Sequence, residues 1–320
     1  MAIMSCVRHQ DGAKMLDEDY QALLEELHET YKSFDEGTLP TYIPELSLVN
    51  PQDFGISLTL LDGRSFHVGH SQRTFTIQSM VKPFLYGIAM EQLGEEAVLE
   101  RIGVEPTGDA FNTIKLQPKT HRPYNPMVNA GAIVLANLIQ GDNHREKIVT
   151  IKKTLEDFSA SDLGFDIRVY TSEKAMGHHN RAMAYLMLNF GILTGHVEEI
   201  LESYFQACSF MVTTKDLAAM AATLANKGVN PLTQKEVMQP RTIKNIVCVM
   251  MTCGMYDFAG QWSYTVGIPA KSGVSGGIIG VVPGRMGISV YSPLLDETGT
   301  SVRGIRVFQE LSRRLDLSIY

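Results

Sequence analysis

Strand-like runs stand near both ends of this chain, and a long helical stretch separates them. Residues 55–61 and 65–68 read as two strands joined at Asp62-Gly63, a strong hairpin signal. Residues 262–269, 277–282 and 286–292 read as three more, punctuated by glycine and proline. If these runs form one sheet, the chain must leave it and return. The helical middle then packs to one side, which excludes alternating βαβ units. The expected architecture is α/β of the α+β kind, a mainly antiparallel sheet flanked by helices plus an all-helical lobe. A length of 320 residues allows about two domains or one large one. The shared sheet favours one domain over 1–320, with a sheet lobe at 1–92 and 254–320 and a helical lobe at 93–253.

Helical periodicity supports this division. Leu16, Tyr20, Leu23, Leu24 and Leu27 recur at helical spacing over residues 14–30. Residues 37–51 hold three prolines and read as a crossing loop containing Thr41-Tyr42-Ile43-Pro44. A helical pattern begins near Ser79 and runs to about Leu93. Further helices are expected at 130–140, 148–158, 174–191, 197–205, 214–227, 240–253 and 302–314.

Composition and missing motifs exclude several functions. With 28 Lys plus Arg against 35 Asp plus Glu, the net charge of −7 argues against a nucleic-acid partner, which needs a basic face. The longest apolar stretch, 182–193, is interrupted by Asn189 and too short to span a bilayer, so no membrane role is expected. The first fourteen residues turn polar too early for a secretory leader. Cys6, Cys208, Cys248 and Cys253 form no C-x-x-C, so free thiols in a reducing cytoplasm are expected. There is no Walker A, G-x-G-x-x-G or H-E-x-x-H pattern. His67 and His70 should face opposite ways on a strand, and His178-His179 diverge, so no metal ligand is assigned. Gly273-Val274-Ser275-Gly276-Gly277 imitates a nucleophile elbow. A strand pattern rather than a helix follows it, and no histidine lies beyond His196.

One pattern does suggest chemistry. Ser79-Met80-Val81-Lys82 is the only S-x-x-K, and strand-like Phe75-Thr76-Ile77 precedes it. Pro83 belongs in a helical first turn, so Ser79 and Lys82 stand at a helix start, on one face. There the amine can serve as base for the hydroxyl, because burial and the helix N-terminus disfavour the ammonium. A first-turn amide can also face an oxyanion. Alone, the tetrapeptide is better read as a capping serine followed by an exposed lysine. Lys271-Ser272-Gly273, beside a late strand, is the kind of triplet that lines the site edge in Ser-x-x-Lys acyl-transfer enzymes. Together the two motifs suggest a serine β-lactamase/transpeptidase-like fold. The Ser-x-Asn or Tyr-x-Asn element of penicillin-interacting enzymes is absent.

These motifs and their neighbours resemble the serine-dependent glutaminases. The resemblance runs through Tyr42-Ile43-Pro44, Gln78 to Pro83, Asn125 to Ile133, Ser172-Glu173, Asn180-Arg181, Tyr204 to Ser209, 221–226, Cys253 to Asp257 and Pro269 to Gly277. It implies hydrolysis of the side-chain amide of L-glutamine, with Ser79 as nucleophile, Lys82 as base and a glutamyl ester between them. It places the N–H groups of Ser79 and Val274 at the oxyanion, and either Tyr42 or Tyr256 as proton relay. Substrate contacts carry over onto Ser79, Asn129, Glu173, Asn180, Tyr204, Tyr256 and Val274, with Glu173 suited to the α-ammonium. No cofactor is implied, and a homodimer or homotetramer is expected, with apolar residues near Met211 or Phe205 as contact material. The chain looks like the compact bacterial form. Taken singly, Asn129 is better read as the cap of a helix at Ala130, Glu173 and Asn180 as solvated residues on one helix face, and Tyr204 and Tyr256 as core aromatics; taken in family order, function is the better reading of all of them. The alternatives are a penicillin-type acyl transferase and a non-catalytic amino-acid sensor. Retention of Ser79, Lys82 and Lys271 argues against the sensor.

Overall fold

The computed structural model describes residues 16–320. Cys6, the first fourteen residues read as leaderless, and the opening of the helix expected at 14–30 lie outside the described residues. Along the chain come α1 (Asp17–Tyr31), β1 (Gly55–Leu60), β2 (Ser65–Gly69), β3 (Phe75–Thr76), α2 (Lys82–Leu93) and α3 (Glu95–Leu99). Then follow α4 (Asn129–Leu138), α5 (His144–Ser159), α6 (Ile167–Met176), α7 (His178–Asn189), α8 (Val197–Cys208) and β4 (Met211–Val212). The last are α9 (Thr214–Ala225), α10 (Pro240–Cys253), α11 (Ala259–Thr265), β5 (Ala270–Gly273), β6 (Gly277–Val282), β7 (Met286–Tyr291) and α12 (Val302–Leu315). Short 3-10 turns occupy Pro44–Leu48, Gln78–Val81 and Tyr256–Phe258.

The two ends of the chain do meet. The five-stranded sheet has the order β2-β1-β7-β6-β5, and every pairing in it is antiparallel. β1 lies against β7 from Gly55–Tyr291 to Leu60–Met286. Because side chains alternate across a strand, register decides what each face meets. Ile56, Leu58, Ala270, Ile278, Ile288 and Val290 turn to one face, where they pack with Leu24 and Leu27 of α1, Trp262 of α11 and Val307, Phe308 and Leu311 of α12. Ile279, Val281 and Tyr291 turn to the other and join the core built by α2, α4, α5, α8, α9 and α10. α9 lies so close that a Cβ on Gly287 would collide with Ala222 N and Ala218 O, which explains the alanines facing it. Lys271 pairs with Ile279 and therefore shares the helical face.

Three local expectations change. The strand expected at 262–269 is largely the helix α11. Phe258, Trp262 and Val266 recur every four residues on its buried side, while Tyr264, which completed an apparent alternation, is 92 % exposed. The helix expected at 174–191 is two, α6 and α7, parted at Gly177. A Cβ there would stand 2.6 Å from Phe205 Cζ, so the close approach of α8 requires the glycine. Phe205 itself is buried in the core, so it offers no contact surface. Among the described residues no helix is long and apolar enough to cross a membrane.

Candidate active site

The segment that carries Ser79 is set by its backbone. β3 pairs with β4, and Ile77 N–H donates to Phe210 O at 2.8 Å, which holds the chain as it enters the turn. Gln78 then takes φ +47°, a conformation rare for a side chain larger than glycine. Ser79 falls in the 3-10 turn Gln78–Val81, one turn ahead of α2, rather than on the α-helix itself. Lys82 opens α2 with Pro83 behind it, where a missing N–H costs nothing. The Ser79 side is 8 % exposed, and Lys82 is fully buried.

Lys82 is the hub of a buried polar network. Its Nζ donates to Asn129 Oδ1 at 2.7 Å and to Tyr256 Oη at 3.2 Å. Tyr204 Oη also donates to Asn129 Oδ1, at 3.3 Å. Asn129 Nδ2 donates to Asn180 Oδ1 at 3.1 Å, and Asn180 Nδ2 reaches Tyr42 Oη at 3.4 Å. Asn129 is thus no helix cap: Val128 holds the N-cap position of α4, and the Asn129 side chain turns inward. Glu173 and Asn180 do not share one helix; they belong to α6 and α7, on either side of the break at Gly177, and both are buried.

Tyr256 connects this network to the nucleophile. It sits at φ +56° in its own 3-10 turn, and its phenol interacts with Ser79 as well as Lys82. Lys271 Nζ stands 3.8 Å from the centre of the Tyr256 ring and donates to Ser272 O at 2.7 Å. The β5–β6 turn closes over the serine. A Cβ on Gly273 would come 3.1 Å from Met80 Cε and 3.2 Å from Ile77 O, so a larger residue would push Val274 away. Val274 packs with Tyr42 against Ile43, Leu46 and Val169.

Burial dominates the electrostatics. It pushes the Lys82 ammonium down to about 7 and the Lys271 ammonium well below its usual range, with Lys82 adding repulsion to the second. It pushes the Glu173 carboxyl up to about 8, although Lys82 pulls the other way. Glu173 Oε2 is buried without a partner, the mark of an acceptor that awaits a donor. The phenols of Tyr42, Tyr204 and Tyr256 are all pushed up, so they stay protonated at neutral pH.

Two neighbours escaped the sequence reading. Phe111, in the long loop before α4, packs edge-on to Tyr42 at 6.0 Å and tilted on Tyr256 at 5.7 Å. Together with Tyr42 and Val274 it lines a cavity of about 230 Å³ outside the network. Only its being an aromatic in an irregular segment could have signalled it. Cys208 lies four residues after Tyr204 on α8, interacts with its hydroxyl, and is pushed far up by burial and by Glu173. That spacing of four was legible as one helix face. Among the described residues no three His, Cys, Asp or Glu side chains gather as a metal centre would require.

An antiparallel sheet flanked by helices, with a buried serine and two buried lysines at the seam, places the chain in the β-lactamase-like fold class. The family model described as Glutaminase matches residues 37–320. A glutaminase of Trichormus variabilis is 51 % identical over 99 % of this chain and 95 % of its own length. A glutaminase of Nostoc sp. is 53 % identical over 93 % of this chain and 89 % of its own. The solved structure of a probable glutaminase, ybaS, is 34 % identical and superposes with a TM-score of 0.91 over 96 % of this chain and 99 % of that one. The chain therefore belongs to the glutaminase family and is an enzyme of that family.

Proposed function

We propose that this enzyme hydrolyses the side-chain amide of L-glutamine to L-glutamate and ammonia through an ester on Ser79. Ser79 Oγ attacks the amide carbon as its proton passes through Tyr256 Oη to Lys82 Nζ. The carbonyl oxygen gathers negative charge against the N–H groups of Ser79 and Val274. The C–N bond then breaks, the leaving nitrogen takes the proton back, and ammonia departs. Water, deprotonated by the same base, attacks the ester, and Ser79 leaves reprotonated. The observation that carries this reading is the Ser79–Tyr256–Lys82 relay, with the lysine lowered to about 7 by burial. An amine near 7 can both accept and return a proton at neutral pH. Of the two tyrosines, Tyr256 is the relay on this reading, because its hydroxyl accepts from Lys82 Nζ at 3.2 Å and, against the upward push of burial, Ser79 lowers its phenol. Tyr42 touches Asn180 and serves binding.

Substrate recognition follows from the remaining groups. The unpartnered Glu173 Oε2 receives the α-ammonium, whose charge draws the carboxyl back to its ionised form. Asn129, Asn180, Tyr204 and Tyr256 offer neutral donors to the α-carboxylate and amide. Lys271, Ser272 and Gly273 form the site edge. No cofactor has a place in this scheme. The reading treats residues 1–320 as one catalytic domain. Ser79, Tyr256 and Val274 come from its sheet lobe, 1–92 with 254–320, and Asn129, Glu173, Asn180 and Tyr204 from its helical lobe, 93–253. The family resemblance also supports a cytoplasmic homodimer or homotetramer, which sedimentation of the purified enzyme would read.

Ammonia release from glutamine, asparagine and a chromogenic β-lactam tests the reaction. Glutamine should be turned over, and Ser79→Ala should lower that turnover by at least about 10⁴-fold. Turnover that survives the substitution removes Ser79 as nucleophile. Cleavage of the β-lactam with glutamine untouched would replace the substrate.

A further inference from the structure

Arg303 lies in the first turn of α12, outside the polar network, and its side chain is fully buried. Its Nε donates to Phe34 O at 2.7 Å, and its Nη1 donates to Pro51 O at 3.1 Å and to Ser292 Oγ at 3.3 Å. The guanidinium also stands 5.6 Å from the centre of the Phe54 ring. Its hydrogen-bond acceptors are two main-chain carbonyls and a hydroxyl; the Asp35 carboxylate acts on it through charge alone, without a hydrogen bond, and Nη2 is buried without a partner. Burying a cation on such partners is costly, and an apolar side chain would fill the space at lower free energy. The position of the acceptors suggests what offsets that cost.

Phe34 and Pro51 are the two ends of the segment that carries Tyr42. Within it the chain has only the 3-10 turn Pro44–Leu48 as regular structure. The segment touches the site at its middle, through Tyr42 on Asn180 and Glu45 on Ser172, whose hydroxyl donates to Glu45 Oε1 at 2.6 Å. Toward its start, Thr38 pairs with Leu295, and a Cβ on Gly37 would stand 2.7 Å from Leu295 O. The third acceptor belongs to the other wall. Ser292 N–H donates to Gly276 O at 3.0 Å, directly behind the turn that holds Val274. One rigid, planar fork thus joins both ends of the Tyr42 segment to the strand end behind Val274.

We propose that Arg303 is a positioning residue for glutamine hydrolysis, clamping residues 34 and 51 to Ser292 so that Tyr42 and Val274 keep the separation the substrate requires. The proposal rests on the glutaminase reading for its substrate. A lysine can donate to one or two of the acceptors but cannot reproduce the fork. A methionine fills the space with no donor, and the segment between 34 and 51 then keeps its Thr38–Leu295 pair and its contacts at Tyr42 and Glu45 but loses the tie between its two ends.

The test compares full-length wild type, Arg303→Met, Arg303→Lys, Tyr42→Phe and the Arg303→Met/Tyr42→Phe double variant. The measurements are ammonia release from glutamine, thermal unfolding, and amide exchange of residues 35–50. In folded Arg303→Met, kcat/KM should fall at least about tenfold, chiefly through KM, since small misplacements of substrate-positioning groups have effects of that order or larger. Residues 35–50 should exchange faster while α12 stays protected. Arg303→Lys should recover part of the loss, and Tyr42→Phe should matter less in the Arg303→Met background than alone. A folded Arg303→Met with kcat and KM within twofold of wild type overturns the proposal, whatever its melting temperature. Should Arg303→Met fail to fold, Arg303→Lys decides: unchanged KM and unchanged exchange at 35–50 overturn it equally. Wild type that releases no ammonia from glutamine refutes the functional reading instead, and the exchange of 35–50 then judges the clamp by itself.

Discussion

The two faces of the five-stranded sheet are built on opposite principles. The face toward α1, α11 and α12 is dry: Trp262 packs on Phe258 and Phe308, and its indole N–H donates to Ile268 O at 2.7 Å. The other face begins with the same aliphatic residues, Ile279 and Val281, but ends at Lys271 and the buried set of Lys82, Asn129, Glu173, Asn180 and Tyr204. Gln78 and Tyr256, both buried on that side, also hold a positive φ. The apolar core of the first face therefore supplies stability, and the one polar group discussed on it, Arg303, bonds outward to residues 34, 51 and 292 rather than to the reacting groups. The other face gives up stability for groups that are reactive because they are poorly solvated.

Between the two faces, Lys82→Met gives the largest expected effect on turnover, and it sharpens the contrast. Glutamine turnover should fall at least about a hundredfold, with the wild-type rise of kcat/KM as pH climbs through about 7 abolished. Unfolding in urea should show no loss of stability, because a buried amine has been replaced by an apolar chain. A clear loss would mean that the polar face is also structural, and the contrast would break.

Trp262→Ala is the reciprocal experiment. It should destabilise by about 3–5 kcal/mol while leaving kcat and KM of the folded fraction unchanged. A changed KM would reveal coupling across the sheet.

A smaller effect separates the faces by pH. The Glu173 carboxyl is near 8 when folded against an ordinary value of 4.5, so between those values the folded protein holds a proton that the unfolded chain has released. Stability contributed this way is present at low pH and is lost as pH rises from about 4.5 to 8, by at most about 1.4 kcal/mol per pH unit. Lys82 acts in the opposite sense, adding stability between about 7 and 10.5. Glu173→Gln should flatten the fall between pH 5 and 7 in urea titrations. An unchanged slope would mean that Glu173 is ionised in the folded protein.

Legibility in the sequence differed between these faces. Periodicity located most helices, since one buried stripe per helix leaves its mark on the sequence. It failed at Trp262–Val266, where a helix with one buried side and a chance Tyr264 imitated alternation. It also missed the break at Gly177, which answers to Phe205 on another helix. The site residues were named from an ordered set of short motifs, and the structure brings Ser79, Lys82, Tyr42, Asn129, Asn180, Tyr204 and Tyr256 into one connected network. Phe111 and Arg303 carried no such mark. An aromatic in a loop and an arginine at a helix start are commonplace until their neighbours are known.

The sequence by itself determined that strand-like runs stand near both ends of the chain and that Ser79 and Lys82 stand near a helix start, while the residues offered to a zwitterion came from the family resemblance. The first two follow from local spacing and from the chemistry of single side chains. Only the tertiary structure decided that Lys82 turns to Tyr256 and Asn129, that Glu173 keeps an unpartnered oxygen, and that Arg303 spans residues 34, 51 and 292. Those outcomes depend on burial and on partners up to 269 residues away, and both come into being only when the chain closes on itself.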